Sequence, residues 1–417
     1  GWKALLGAGV CIPATYAQAQ EVDIHGFISQ GFIKSTGNNY LGETLQGEWE
    51  FTETGINFAT ELTDDVRVGA QLFARDLGPL GNMVIDLDWA FGDYTFNDYI
   101  GIRVGRVKTP YGLYGEYQDL DLVRPSVIMP QSVYFLALRD LLISFNGVAL
   151  YGTLEPADWL GSFDYVLYGG AVMGTVGGPD SSVAYYFNNK SYNETKDYFG
   201  FNVTKIRDRW TAGWSLQWNN PFEVEGLILK HTSAFFHGDA WADLNPELIR
   251  TLDAAGSLPE DFSPILHIDM QDALFWVGSL EYTYDELQIA AEYARYSAIF
   301  EMSLAPIIAH APFNQERYYV QLSYRFSEWL QAATYYSAIF DADDPTGERT
   351  YDQPGDADPQ PKYKAWMKEI VVAMRFDIND YWLLKIEAHL VDGTAQVYEM
   401  ANKSNPRQER YWTLYGI

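Results

Sequence analysis

The sequence predicts an all-β fold: a transmembrane antiparallel β-barrel of sixteen strands with one long loop that narrows its bore. Three observations predict it. Roughly ten-residue segments alternating apolar and polar side chains recur down almost the whole chain, which is the period of a strand with one greasy face. The 417 residues include 13 Trp, 30 Tyr and 23 Phe, yet mean hydropathy is only −0.19. No run of eighteen apolar residues exists to form a helical span. Abundant Trp and Tyr with modest hydropathy fit strands whose aromatic residues sit at two membrane interfaces.

The block Ile85 to Tyr94 carries the pattern most clearly. Ile85, Leu87, Trp89 and Phe91 read as one lipid-facing row with Asp86 and Asp88 on the other, followed by a turn at Gly92-Asp93. A secreted β-sandwich or propeller is the water-soluble alternative.

Residues 1–19 read as a secretory signal. Lys3 precedes an apolar run from Leu5 to Ala14, and Ala17-Gln18-Ala19 offers a cleavage site. Cys11 is the only cysteine, so residues 20–417, read as a single barrel domain, hold no disulfide, thiolate metal site or haem-attachment motif. Val10 in front of Cys11 disfavours lipidation. The net charge of −28 argues against nucleic acid as a partner.

The predicted strands alternate between short turns and longer loops. They run near 22–35 and 48–60, then 66–75, 83–91 and 99–107, then 142–152 and 163–173. The next are 210–218, 227–236, 273–284 and 287–296. The last five are 318–326, 330–339, 370–376, 381–390 and a strand from Arg410. The acidic stretches Asp239 to Asp272 and Asp341 to Asp358 are assigned to loops, as are 175–208, 237–270 and 340–367. The last strand stops at Tyr415-Gly416-Ile417, short of an aromatic terminus, and is expected to continue natively.

Phase assigns the lumen. A lipid-facing Arg at mid-membrane costs about 2–4 kcal/mol, so charges opposite apolar rows should face inward. With Val66, Val68 and Leu72 in lipid, Arg67, Gln71 and Arg75 point in. The same logic places Arg103, Gln321, Arg325, Arg375, Lys385, Glu387 and His389 inside, with Asp86, Asp88 and Glu292 on the acidic side. Arg106 falls out of phase and requires a bulge or a position above the bilayer. Opposed charges of this kind either brace one another or set ion preference.

The stretch Gly105-Arg106-Val107-Lys108-Thr109-Pro110-Tyr111-Gly112-Leu113-Tyr114, with Arg124-Pro125-Ser126 and Pro130-Gln131-Ser132-Val133-Tyr134, resembles proteobacterial outer-membrane porins of the general and phosphate-selective (O and P-like) kinds. The resemblance implies an outer-membrane location in a Gram-negative bacterium, a homotrimer, and a loop after the fifth strand that folds into the bore. Over 109–140 that loop would contribute Tyr111, Tyr114, Glu116, Asp119, Asp121, Arg124, Arg139 and Asp140. It lacks an Arg-rich ladder, which departs from the phosphate-selective pattern. The apolar content of the loop, from Leu113 to Leu136, suits packing against a wall better than a solvent loop.

An enzyme is not expected. The six histidines, His25, His231, His237, His267, His310 and His389, form no metal-binding spacing, and no Ser–His pair is nominated by a motif. Asp341-Ala342-Asp343-Asp344 opens like a calcium loop but continues with Pro345 and Thr346. No cofactor is implied. The expected function is passive diffusion of small hydrophilic solutes or ions, with weak anion or mixed preference, in contact with outer-membrane lipid and lipopolysaccharide. The alternative is a surface-binding or scaffold barrel acting through its acidic loops.

Overall fold

A computed structural model describes residues 21–78, 80–172, 182–189, 201–221, 226–258, 262–304, 307–351, 360–398, 400–402, 404–405 and 407–417. The signal peptide expected over 1–19 and much of the 175–208 loop lie outside the described residues.

The described residues form one antiparallel sheet of seventeen strand segments that closes on itself. In chain order these are β1 (Asp23–Gln30), β2 (Ile33–Ser35), β3 (Phe51–Thr63), β4 (Val66–Leu77), β5 (Asp86–Asn97), β6 (Ile100–Lys108), β7 (Ser144–Ala157), β8 (Gly161–Ala171) and β9 (Phe201–Asn219). They continue as β10 (Leu227–Leu244), β11 (Ile265–Tyr284), β12 (Leu287–Leu304), β13 (Ile307–Ser327), β14 (Leu330–Asp341), β15 (Trp366–Asn379), β16 (Trp382–Gly393) and β17 (Tyr411–Gly416). The first two segments occupy one position in the ring. β1 pairs with β3, and past Gly31-Phe32 the chain resumes as β2 to pair with β17, so sixteen staves surround the axis. Among the described residues the helices are α1 (Arg139–Leu142), α2 (Ser182–Asn189) and α3 (Pro246–Ala254). None is long and apolar enough to cross a membrane.

The outer face explains why the ring needs lipid. Val104, Val148, Leu150, Leu167, Val320, Leu322, Ile370, Val372, Leu384 and Ile386 are all exposed on it. In water a continuous apolar band of that kind would associate or aggregate. Aromatic residues mark its lower edge at the short turns, where Phe96, Tyr99, Trp159, Tyr284, Phe326, Trp329, Tyr381 and Trp382 are exposed. Toward the other end of β15 stands Trp366, ten residues from Phe376. At the usual strand rise and tilt that is about 26 Å along the axis, matching a lipid-facing band of about 25 Å.

Several boundaries differ from the sequence reading, each for a physical reason. Gly92-Asp93 is not a turn but lies within β5, and the chain reverses between Asn97 and Ile100. Trp89 and Phe91 do not continue the lipid-facing row of Leu87. Leu87 is opposite Leu72 while Trp89 is opposite Gln71, so Asp88 is the extra residue of a β-bulge. The bulge moves Trp89, Phe91 and Asp93 to the face of Gln71 and Gly69, and a strict period of two has no means of registering it. The 237–270 stretch is not a loop at its two ends: β10 runs to Leu244 and β11 starts at Ile265. Likewise β12 and β13 extend toward each other across 297–317, where a loop was expected. These hairpins stand taller than the rest of the wall. Within the wall their inner face is an apolar cluster of Val203, Ala242 and Leu266 with Ala184 of α2. Arg106 pairs with Ala90 on the outer phase, and its Nε donates to the Asp88 carbonyl, 3.0 Å away, where the bulge turns that carbonyl aside.

Candidate functional site

Residues 109–143, joining β6 to β7, hydrogen-bond to strands all round the ring, including those opposite their own attachment. Thr109-Pro110 ends the strand, since Pro has no donor for the ladder. The chain then turns at Gly112, whose φ is +59°. A Cβ there would meet the Tyr134 hydroxyl at 2.6 Å and a Glu292 carboxylate oxygen at 2.8 Å. Only glycine fits both the backbone and the space.

Three sets of contacts seat the segment. Its first arm is tied to β12. The Glu292 carboxylate accepts from Leu113 N (2.8 Å), Tyr134 Oη (2.5 Å), Tyr319 Oη (2.8 Å) and Ser279 Oγ (2.6 Å). The Tyr111 hydroxyl bonds that of Tyr296, and Tyr114 Oη donates to Glu281 at 2.9 Å. Burial raises the Tyr134 hydroxyl well above the ordinary tyrosine value, with the Glu292 charge adding to it, so it stays a neutral donor.

The middle is tied to β15 and β16. Glu387 accepts from Val127 N at 2.7 Å and Ile128 N at 2.9 Å. Lys385 Nζ lies 2.8 Å from an Asp121 carboxylate oxygen, and Arg375 donates to the Leu122 carbonyl. His389 stands between Glu369 and Glu387, 2.9 Å from each.

The last arm is tied to β4, β5 and β6. Arg139, at the start of α1, pairs with Asp119 and reaches Asp88 at 2.8 Å, its guanidinium lying 4.3 Å over the Phe73 ring. Lys108 Nζ completes this quartet at 2.6 Å from Asp119 and 3.3 Å from Asp88. Asp140 meets Arg75 at 3.3 Å, and Arg124 links Asp121 (3.1 Å) to Glu53 (3.6 Å). Burial works against ionisation of Asp119, but Arg139 and Lys108 overcome it and hold the carboxyl well below its usual range. Arg139 is correspondingly raised by Asp119 and Asp88 against the cost of burial.

Apolar packing fills in between. Met129, Val133, Phe135, Ala137, Leu138, Leu141 and Leu142 join one buried cluster with Ala234, Phe236, Phe275, Val277, Ala290 and Ala294 from the wall. Tyr117, Leu122 and Val123, by contrast, are exposed.

The charged positions expected from phase therefore separate by circumstance. Arg75, Asp88, Glu292, Arg375, Lys385 and Glu387 are each engaged by the 109–143 segment. Arg103 instead pairs with Asp93 at 2.8 Å beneath Tyr151, and Arg325 pairs with Asp377 at 2.9 Å. Arg67 is exposed next to the β3–β4 turn, Asp86 and Glu116 are partly buried, and Gln71 donates to Asp88. Phase reading missed Glu53, Asp93, Glu281, Arg317 and Glu369. Arg317 lay one residue before an assigned strand start, although it alternates in step with Tyr319 and Gln321. It is fully buried, donates to the Ser132 carbonyl at 3.0 Å and lies 4.2 Å over the Tyr296 ring. Among the described residues, no group of three or more His, Cys, Asp or Glu side chains is arranged to hold a metal ion.

No protein-family model matches the chain, and no curated protein matches it in sequence. Solved structures do. OmpF of Salmonella typhi, in complex with daunomycin, is 13% identical with a TM-score of 0.50, over 97% of this chain and 98% of that one. The chain has the fold of an outer-membrane porin. Similar coverage is found for the anion-selective porin from Comamonas acidovorans (10% identity, 95% of this chain and 97% of that one, TM-score 0.49). The outer-membrane channel DcaP of Acinetobacter baumannii compares likewise (9% identity, 95% and 96%, TM-score 0.49). The porin fold and the apolar outer belt together make this a barrel of the Gram-negative outer membrane.

Proposed function

We propose that the protein is a passive porin admitting small hydrophilic solutes or ions, with residues 109–140 as its constriction and a weak anion or mixed preference. The observation that carries the reading is the tethering of that segment to β4–β6, β12–β13 and β15–β16 by buried ionic and hydrogen-bonded contacts. A segment fixed at three places narrows a bore to a constant aperture. The walls beside it bear charges of both signs, Arg103 with Asp93 and Arg325 with Asp377, and paired charges give a transverse field with little net selectivity. A homotrimer in contact with lipopolysaccharide completes the proposal, as the family resemblance implies.

The test is a planar-bilayer recording from the full-length protein under a KCl gradient. Stepwise conductance with a small reversal potential supports the reading. A strong cation preference refutes the selectivity but keeps the pore. The size of the apolar cluster inside the ring favours a second reading, a non-conducting scaffold barrel, and silence from demonstrably folded protein would select it.

A further inference from the structure

On the outer face of the tall hairpins, the buried carboxylate of Asp239 organises two arginines. Arg207 reaches it at 2.8 Å, while Arg209 approaches through Nε at 2.8 Å and through a terminal nitrogen at 2.7 Å. His267 Nε2 is 2.9 Å from the same carboxylate. The Asp239 side chain is 0% exposed, whereas Arg207 and Arg209 are 54% and 44% exposed. One hidden anion thus pre-orients two guanidiniums whose remaining N–H groups point outward, and fixing them beforehand lowers the entropy cost of binding. Lys205 and Arg207 also lie 5.0 and 5.2 Å over the Trp241 ring. Lys205, Arg207 and Arg209 stand against Asp239 and, across the β10–β11 ladder, Asp269, so the patch holds three cations to two carboxylates in a chain of net charge −28.

Its height fixes what it meets. Arg209 and Arg207 stand ten and twelve residues before Asn219, the turn-side end of β9. At ordinary rise and tilt that is about 26–31 Å, one apolar band above the lower aromatic edge. Their side chains share the face of Asp239 and Trp241, opposite Ile206 and Ala240, which pack toward the interior. The pair therefore sits where the headgroups of the outer leaflet begin.

We infer that Arg207 and Arg209, with Lys205, form a binding site for the phosphate of an outer-leaflet lipid headgroup. Two forks held by one carboxylate suit a phosphate monoester, which offers several acceptor oxygens for bidentate contact. This inference rests on the reading of the outer face as membrane-embedded, but not on conduction.

The experiment uses the full protein in phosphatidylcholine nanodiscs with lipopolysaccharide added, and counts retained lipid per barrel by native mass spectrometry. The R207Q/R209Q variant is expected to lose roughly thirty-fold in retention, since each cation at a membrane surface contributes about fivefold. Enzymatically dephosphorylated lipopolysaccharide should not be retained by the unaltered protein. K205E, on an exposed side chain, should weaken retention in the same direction should the double variant assemble poorly. Unchanged retention in the variants, or equal retention of the dephosphorylated lipid, would overturn the site. Displacement by inorganic phosphate alone would overturn the assignment to lipid. Conductance of the variants, read in the same preparation, should be unaltered, which keeps this test separate from that of the pore.

Discussion

Replacing Glu292 by Ala should unseat the first arm of the 109–143 segment. Four donors converge on that carboxylate: Leu113 N, and the hydroxyls of Tyr134, Tyr319 and Ser279. Each buried donor left without an acceptor costs ~1–3 kcal/mol, and water entering the vacated space offsets part of the sum. A net loss of about 3–5 kcal/mol is expected, similar to breaking other buried charged clusters. Every 1.4 kcal/mol is tenfold, so the ratio of displaced to seated segment rises at least a hundredfold. Glu292→Gln should be much milder, because its amide oxygen still accepts from Leu113 N and Ser279, and tyrosine hydroxyls can accept from its NH2. The assay is single-channel recording, in which E292A should show frequent transitions between conductance levels and E292Q few. A cysteine introduced at Leu113 should become reactive to a water-soluble thiol reagent in E292A alone. Quiet channels and a protected thiol in E292A would refute the account of Glu292 as the anchor.

Other outcomes follow from the same geometry. Gly112→Ala should disturb the segment nearly as much as E292A, because the new Cβ meets Tyr134 and Glu292; a normal trace would show the turn to be adaptable. Arg139→Leu leaves Asp88 and Asp119 with Lys108 as the one cation of the quartet and should lower folded yield sharply, as read from heat-modifiable migration on gels, at a cost of about 3–5 kcal/mol. Acidification from pH 7 to 5 should leave the contact of Asp119 with Arg139 and Lys108 intact. A carboxyl held low by its partners, such as Asp119, contributes fully above its unfolded value near 3.9 and loses that contribution only as pH falls through its still lower folded value. In the alkaline direction, Tyr134 is raised by burial, so its contribution is full below its unfolded value near 10 and is lost as pH rises through its still higher folded value. Noise that increases between pH 7 and 5 would locate the sensitive group elsewhere.

Much of the barrel was legible because alternation reports directly on a wall with lipid on one side. The exposed rows Val320-Leu322-Tyr324-Phe326 and Ile370-Val372-Met374 follow their phase through the whole strand. The period fails where the backbone departs from it. At Asp88 one extra residue reverses every later side chain of β5, and nothing in the residue types between Ile85 and Tyr94 announces the change. Strand ends were obscured for a different reason. Above the membrane the tall hairpins no longer face lipid, so polar residues such as Asp239 and Asp269 appear on their outer face and mimic a loop. The 109–143 segment was recognisable from its apolar content and Thr109-Pro110, but its anchors were not. Glu53 and Glu281 are ordinary inward acids until the fold brings Arg124 and Tyr114 to them.

The tethered segment also has a mechanical role. A ring of sixteen staves with an unsupported centre is a thin hoop, and lateral pressure from the bilayer flattens a hoop into an ellipse. Ties to β4–β6, β12–β13 and β15–β16 turn residues 109–143 into a three-legged strut that resists that flattening. Deleting 109–140 would then do more than enlarge the opening. The cross-section would fluctuate, and the deleted barrel would show a broad spread of openings rather than one larger value.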